Sequence, residues 1–445
     1  MTSRAPNKAP CWLLVTVHEL NPKGFGVACV DGRQLTVPGA LPGEQVKVRL
    51  RRRGRRNAYS ELIEVLEPAP ERVAPRCPHF GICGGCTLQH LDSAAQLARK
   101  QQHLRDLFWQ HGQVAPQSWL PPVAEDPWGY RRRARLGARF VEKKGSVLVG
   151  YREAQGGFVA DLSRCMTLHP LIGERIERLR DLLTQLECRR SIPQIEVAVG
   201  DADVALMIRH LVALGPSDRA RLIAFARAQA VQIHLQAGGP DTLAPLWPAE
   251  AKPLHYRLPD WGLELQFMPG DFVQVNGAVN QRLISQAVAL LAPEKHERML
   301  DLYCGIGNFT LPFAGLVREI VGLEGSASLV ERAQENARRN GIDNAQFHQS
   351  DLASAAARAP WLQQSWHTLL IDPPRSGCSS LLGAPEIARL RRILYVSCNP
   401  ETLACDASLL VRQQGFQLAR AGIVDMFPHT NHAEVIALFV RDKRG

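Results

Sequence analysis

Between residues 11 and 68, short stretches of alternating apolar and polar side chains are separated by turn-forming residues. The stretches are Trp12–Val17, Gly26–Val30, Arg33–Val37, Gln45–Leu50 and Ala58–Leu66, and Asn21-Pro22-Lys23-Gly24, Asp31-Gly32 and Pro38-Gly39 interrupt them. A period of two gives each strand one apolar face, and five short strands at this spacing predict a small barrel of the OB type, an architecture often used on single-stranded nucleic acid. Pro68 to Pro75 reads as a linker, and residues 93–111 predict a helix with Ser93 as its N-cap. From about 127 to 265 the pattern is mixed. Strands are expected at Arg135–Phe140, Ser146–Tyr151, Ile195–Val199 and Val204–Arg209, around a helical stretch at Leu171–Leu186. From about 280 the period alternates between two and 3.6. Strands at Arg298–Tyr303, Glu319–Glu324, Ala345–His348, Thr368–Asp372 and Ile393–Ser397 are each followed by a helical stretch. That order predicts a doubly wound, mostly parallel sheet. Gln417–Met426 and Ala433–Val440 have no helix between them and read as an antiparallel hairpin closing it.

Length refines this to about three domains, since 445 residues exceed one ordinary domain. A hydrophobic share of 45% rules out a wholly disordered chain. No apolar run approaches the roughly 18 residues of a membrane span. Cys11 to Val15 stops at His18 and Glu19 with no small-residue cleavage site behind it, so a signal peptide is not expected and a cytoplasmic location is. The net charge is +10, and its placement is more telling than its size. Residues 1–74 hold twelve Lys or Arg against seven Asp or Glu, and Arg49–Arg56 alone contains six Arg. Arg131, Arg132, Arg133, Arg135 and Arg139 form a second cluster. Arg without interleaved acids suits bidentate contacts to phosphate, which favours a nucleic-acid partner over a merely solubilising loop.

Eleven Cys, an odd number in a chain without an export signal, argue against a disulfide framework. Cys77, Cys83 and Cys86 stand together in C-x5-C-G-G-C, where glycines let the backbone wrap a metal closely. Cys165 is the best candidate for a fourth ligand. Three clustered thiolates and one remote thiolate suit an iron–sulfur cluster better than zinc, which usually takes two short knuckles; zinc remains the competitor on spacing.

In a doubly wound sheet the ligand lies beyond the carboxyl ends of the strands. The first ends in Asp301-Leu302-Tyr303-Cys304-Gly305-Ile306-Gly307-Asn308-Phe309, the second at Glu324, the third near Asp351 and the fourth at Asp372-Pro373-Pro374-Arg375. Four carboxylates in register would repel a dinucleotide but suit an adenosine without phosphate, and S-adenosylmethionine meets that description. Singly, each could be a helix cap. The fifth strand ends in Ser397-Cys398-Asn399-Pro400, which puts a thiol at the same rim as a candidate nucleophile. Glu434 opens the last hydrophobic strand and could be an edge charge or a positioned base. Thiol, carboxylate and methyl donor together suit methylation of pyrimidine carbon 5. Thiolate addition at carbon 6 makes carbon 5 nucleophilic, and a base then removes the carbon 5 proton.

The chain resembles the bacterial 23S ribosomal RNA uracil-5-methyltransferases that carry both a TRAM domain and a [4Fe–4S] cluster. The resemblance runs from residue 10 to the end. It rests on C-x5-C-G-G-C with Cys165, on Phe272-Val273-Gln274-Val275-Asn276 and D-L-Y-C-G-I-G-N-F, and on L-I-D-P-P-R, V-S-C-N-P and F-P-H-T-x-H-x-E. It implies an α/β fold: a Rossmann-like methyltransferase catalytic domain, an N-terminal OB-fold/TRAM β-barrel and a small α+β iron–sulfur domain. The implied boundaries are 10–68 for the barrel, 69–92 and 125–265 for the iron–sulfur domain, and 93–124 and 266–445 for the catalytic domain. Cys398 is then the nucleophile and Glu434 the base. S-adenosylmethionine contacts fall on Gln274, Tyr303, Asn308, Glu324, Asp351 and Asp372, where relatives often have Phe at the Tyr303 slot and Asn at the Asp351 slot. Cys77, Cys83, Cys86 and Cys165 become the cluster ligands. The implied partner is 23S rRNA, at the uridine conventionally numbered 1939, with no DNA or membrane partner and the chain acting as a monomer. Rival readings are another 23S site, a tRNA, a cytosine-5-methyltransferase, a radical S-adenosylmethionine enzyme, and a non-catalytic RNA-binding assembly factor.

Overall fold

The computed structural model describes residues 12–53, 57–354 and 360–441, so Arg55 and Arg56 of the basic run lie outside the described residues. The chain divides into two compact units, residues 1–98, 151–160 and 428–431 in one and 99–150, 161–427 and 432–445 in the other.

In the first unit, β1 (Trp12–Leu20), β2 (Gly26–Val30), β3 (Arg33–Val37), β4 (Gln45–Arg53) and β5 (Asn57–Glu67) close into a barrel of order β1-β2-β3-β5-β4. β4 pairs back onto β1, and β3–β5 is a parallel pair. This is the five-stranded barrel that the alternation predicts. Val15, Val17, Leu35, Val37, Val46 and Val48 point inward and are buried, whereas Trp12 and Leu14, one step out of phase on β1, are exposed. Pro68–Pro75 is not a loose linker. Arg72 reaches back to the buried carboxylate of Glu44 at 2.8 Å and to Gly39 O at 2.7 Å. Burial alone would raise the Glu44 pKa; the Arg72 guanidinium and the N–H groups of Leu41 and Ala69 hold it below the ordinary value. Severing such a buried pair on one side costs about 3–5 kcal/mol.

A helix follows at Ser93–Leu107, continued by a π-helical turn at Phe108–Gly112. The capping acceptor is Asp92 rather than Ser93, because its Oδ1 takes Ala94 N–H at 2.9 Å and Ala95 N–H at 3.3 Å.

Among its described residues, the second unit contains two larger sheets and a two-stranded one. Strands β7 (Arg133–Val141), β8 (Ser146–Gly150), β9 (Gln194–Val199), β10 (Val204–Arg209), β11 (Gln232–Gln236) and β12 (Leu243–Trp247) form the first, in the order β12-β11-β10-β9-β7-β8. After the hairpin β13 (Leu254–Leu258) and β14 (Leu263–Phe267), the second sheet is built from β15 (Arg298–Leu302), β16 (Glu319–Glu324), β17 (Ala345–Gln349), β18 (Thr368–Ile371), β19 (Arg392–Ser397), β20 (Gln417–Val424) and β21 (Glu434–Val440). Its order is β17-β16-β15-β18-β19-β21-β20, with β6 (Ser118–Trp119) added at the edge. β15 to β19 are parallel, as expected for helix-separated strands; β21 runs antiparallel between β19 and β20. Both faces are covered, so these strands are almost continuously apolar: Ile393–Val396 and Val435–Phe439 are all buried. Just past the end of β20, Asp425 accepts the buried ammonium of Lys100 at 2.6 Å, and the same ammonium donates to Phe427 O at 3.1 Å.

Candidate functional site

The antiparallel strand determines the chemistry of the rim. β19 and β21 pair with Ser397 opposite Val435. Cys398, the residue after β19, and Glu434, the first of β21, come next on either side of that last pair, and the Glu434 charge acts on the thiol. Residues 36 positions apart in the chain are thereby cross-strand neighbours. Glu434 is buried, and its Oε2 has no hydrogen-bond partner. Burial, with the Asp372 carboxylate adding, pushes its pKa up to about 8. Asp372 lies just past the end of β18, and burial pushes its pKa up to about 7. The Cys398 thiol is pushed up by burial and by the Glu434 and Asp372 carboxylates, while the charge and hydrogen bond of Arg375 pull it down. A neutral Glu434 therefore relieves the thiolate of the larger of its two repulsions and leaves Arg375 to favour it against Asp372.

Arg375 is itself held by the segment bearing the nucleophile. Its carbonyl accepts Asn399 Nδ2 at 2.9 Å and Thr402 Oγ1 at 3.4 Å. The same Asn399 side chain caps the helix Pro400–Arg412 by accepting Glu401 N–H at 3.2 Å. One turn later, buried Asp406 accepts Tyr395 Oη–H at 2.7 Å and Cys378 N–H at 3.0 Å, tying down the loop beyond Arg375. Arg375, Asn399 and Asp406 were given no role by sequence reasoning; the N-capping residue type before Pro400 was the one available signal for Asn399.

The remaining rim residues are placed differently from one another. Gln274 lies on the segment before the helix Gly277–Leu291 and donates from Nε2 to Asp372 Oδ2 at 3.5 Å, so it joins the Cys398–Glu434–Asp372 group. After β15 the chain turns through Tyr303 (φ +63°), Gly305 (φ +56°) and Gly307 (φ +91°), left-handed conformations that glycine adopts freely. That turn brings Gly305 N–H to Glu324 Oε2 at 3.2 Å, while Glu324 Oε1 accepts Ser326 N–H at 3.0 Å. Asp351 is exposed and its Oδ1 caps a turn at Ala353 N–H, 3.0 Å away. Asn308 faces inward instead. Its amide pairs reciprocally with Asn280 at 2.8 and 2.9 Å and accepts Tyr256 Oη–H at 2.9 Å. Neither Tyr256 nor Asn280 was picked out from the sequence. Asp301 is buried within β15, with Oδ2 on Thr310 Oγ1 at 2.5 Å and Oδ1 without a partner. Burial, with Asp372 and Glu324 adding, pushes its pKa up to about 7. An acid-rich floor with orphaned oxygens fits a cationic ligand.

Cys77, Cys83 and Cys86 lie in the first unit and Cys165 in the second, all half-buried. Among the described residues, no group of three or more His, Cys, Asp or Glu side chains stands at metal-binding geometry. The loop is nevertheless shaped around sulfur: Gly85 N–H points to Cys83 Sγ at 3.4 Å. A Cβ on Gly84 would sit 2.8 Å from Arg152 O, and one on Gly85 2.8 Å from the Tyr151 ring, so the chain has room there only for glycine. Cys165 Sγ lies 3.4 Å from Thr167 Oγ1.

The tRNA (uracil-5-)-methyltransferase family model matches residues 254–442, and the TRAM-domain model of tRNA (uracil(54)-C(5))-methyltransferase matches residues 13–70. The 23S rRNA (uracil(1939)-C(5))-methyltransferase RlmD of Xanthomonas euvesicatoria is 50% identical over 428 residues, 96% of each chain. RlmD of Alkalilimnicola ehrlichii is 47% identical over 428 residues, again 96% of each. Among solved structures, the Pyrococcus abyssi tRNA (uracil-54, C5)-methyltransferase in complex with S-adenosyl-L-homocysteine has the same fold. Its TM-score is 0.72 at 23% identity, over 96% of this chain and 99% of that one. With about half its residues shared with RlmD enzymes along nearly the whole length, a TRAM barrel and a methyltransferase sheet, the chain belongs to the RlmD family of RNA uracil-5-methyltransferases.

Proposed function

We propose that this protein methylates carbon 5 of uridine 1939 in 23S ribosomal RNA, with S-adenosylmethionine as methyl donor, Cys398 as nucleophile and Glu434 as general base. The observation that carries the mechanism is the cross-strand placement of Cys398 and Glu434, with Asp372 beside both. S-adenosylmethionine supplies a methyl group on a cationic sulfur; Gln274, Tyr303, Asn308, Glu324, Asp351 and Asp372 are the residues that would hold it. The reciprocal amide pair of Asn308 with Asn280 supports a positioning role for Asn308 beside its direct contact.

The Cys398 thiol gives its proton to solvent, favoured by Arg375. Its sulfur bonds carbon 6 of the uracil, and the ring's electron pair moves to make carbon 5 a carbanion equivalent. Carbon 5 takes the methyl group as the bond from methyl to the donor sulfur breaks, its electron pair staying on that sulfur. The Glu434 carboxylate then accepts the carbon 5 proton, the carbon 5–carbon 6 double bond re-forms, and the carbon 6–sulfur bond breaks to return the thiolate. The target base must leave its stack to reach this rim. We assign Cys77, Cys83, Cys86 and Cys165 to a [4Fe–4S] cluster, with domain boundaries at 10–68, 69–92 with 125–265, and 93–124 with 266–445. The transfer requires no electron, so the cluster orders its loop. The enzyme is taken to act in the cytoplasm as a monomer; no helix among the described residues is long and apolar enough to cross a membrane.

The test is mass spectrometry of 23S rRNA from cells lacking the protein. Loss of 5-methyluridine at position 1939 alone is expected, and its persistence there would refute the assignment. Iron and acid-labile sulfide assays on anaerobically purified protein, against Cys77→Ser, test the cluster independently.

A further inference from the structure

Among the described residues, one end of the barrel is open. A cavity of about 310 Å³ lies at its mouth, floored by Leu13, Val30, Leu35, Leu50 and Ala58. The opening follows from composition: among the described residues the barrel core is Val, Leu and Ala, with no aromatic ring at this end. On the rim, Asp31, Arg33 and Gln34 are all exposed and form no ion pair or side-chain hydrogen bond among the described residues. An apolar floor ringed by a few polar side chains is the usual make-up of a small-ligand site. Just outside stands Trp12, adjacent in sequence to Leu13 and paired in register with Arg49, itself adjacent to Leu50. The Trp12 ring is 42% exposed, with the Arg49 guanidinium 4.6 Å and the Lys47 ammonium 5.5 Å from its centroid. Arg49 and Arg51 both pair with Glu61, at 3.7 and 2.5 Å, which keeps the cationic strand ordered beside the mouth.

We propose that this mouth is a second base-binding site, taking an unpaired guanine of the substrate RNA while its neighbour lies against Trp12. The proposal deepens the RNA-methylation reading and rests on it for the identity of the polymer. Guanine is chosen by the rim chemistry. A carboxylate at Asp31 accepts from its N1–H and N2–H together, and Arg33 donates to O6 or N7. Adenine would set a lone pair at N1 against the same carboxylate, and a pyrimidine lacks the N7 face. Aromatic support with a basic strand alongside is the common arrangement for single-stranded nucleic acid on such barrels. The target uridine is bound at Cys398, in the other unit, so this site governs which RNA is held and not the chemistry.

The test uses the full-length protein with methyl-labelled Leu and Val, titrated with the trinucleotides UGU, UAU and UUU. UGU is expected to shift the Leu13, Val30, Leu35 and Leu50 methyl signals and to bind about tenfold more tightly than UAU. Asp31→Asn keeps the left-handed turn at φ +51° and should abolish that preference. Ala58→Leu, which fills the floor, should abolish the methyl shifts. Equal shifts with UUU, or none with UGU, in protein that still methylates a 23S rRNA fragment would overturn the site and leave the activity standing. Failure to methylate any RNA would refute the activity instead.

Discussion

Replacing Glu434 by Gln should stabilise the protein while stopping the reaction halfway. The carboxyl is buried, one of its oxygens has no partner, and its pKa is raised to about 8 from the ordinary 4.5. The folded state therefore binds the proton more tightly than the unfolded state. Such a carboxyl costs nothing below pH 4.5, and its cost grows as pH rises until it levels off above about 8. At pH 7 the difference amounts to about 3 kcal/mol, which an uncharged amide of the same shape avoids. Urea unfolding of Glu434→Gln should accordingly show a gain on that order at pH 7, nearly absent at pH 4.5. Catalysis runs the other way. At pH 7 roughly one tenth of Glu434 is ionised, against half at pH 8, so the proton-removal step should quicken about fivefold across that interval. Tritium release from RNA labelled at uracil carbon 5 reads this step directly in a single turnover. Glu434→Gln should retain the tritium and accumulate a covalent protein–RNA band on denaturing gels. Tritium release independent of pH from 6.5 to 8, or a variant less stable than wild type at pH 7, would refute the reasoning.

Cys398→Ala should lose methylation and the covalent band yet bind substrate RNA with unchanged affinity in a filter assay. Arg375→Ala removes the cation that opposes burial and two carboxylates at the thiol, so alkylation of Cys398 by iodoacetamide should slow at neutral pH and its pH profile should move upward; an unmoved profile would exclude the role. Lys100→Met should destabilise the chain by about 3–5 kcal/mol, because Asp425 is left charged and buried; adding Asp425→Leu should recover most of that in chemical denaturation.

The elements that alternate regularly were legible in the sequence: the barrel strands, β15 to β19 and the closing hairpin. Each buries a face or a whole strand, so its period is written in the residue types. The hairpin β13–β14, the pair β11–β12 and the two-residue β6 were not legible: their strands are five residues or shorter, too short for a period to stand out, and β6 pairs with the distant β20. The π-helical turn at Phe108–Gly112 depends on a long-range approach: a Cβ on Gly112 would stand 2.6 Å from Ala404 O, and nothing local announces it. In the site, the acidic rim, the thiol and the last carboxylate could be read from their positions at strand ends. The inward pairing of Asn308 and the double duty of Asn399 could not, because both depend on which side chains meet in three dimensions. The raised pKa of Glu434 is likewise a product of burial, which residue type alone does not reveal.

The pairing of β19 with β21 also limits what the RNA can control. Cys398 and Glu434 each stand one residue beyond a ladder running from Arg392 and Val440 to Ser397 and Val435, and are anchored by it and not by a long loop that a bound polymer could push or pull. An RNA can decide whether a uracil arrives, and how long it stays, but it has little leverage over how the adduct is resolved afterwards. Poor substrates should therefore differ from good ones in encounter and residence, with the fraction of adducts that go on to product nearly the same for all.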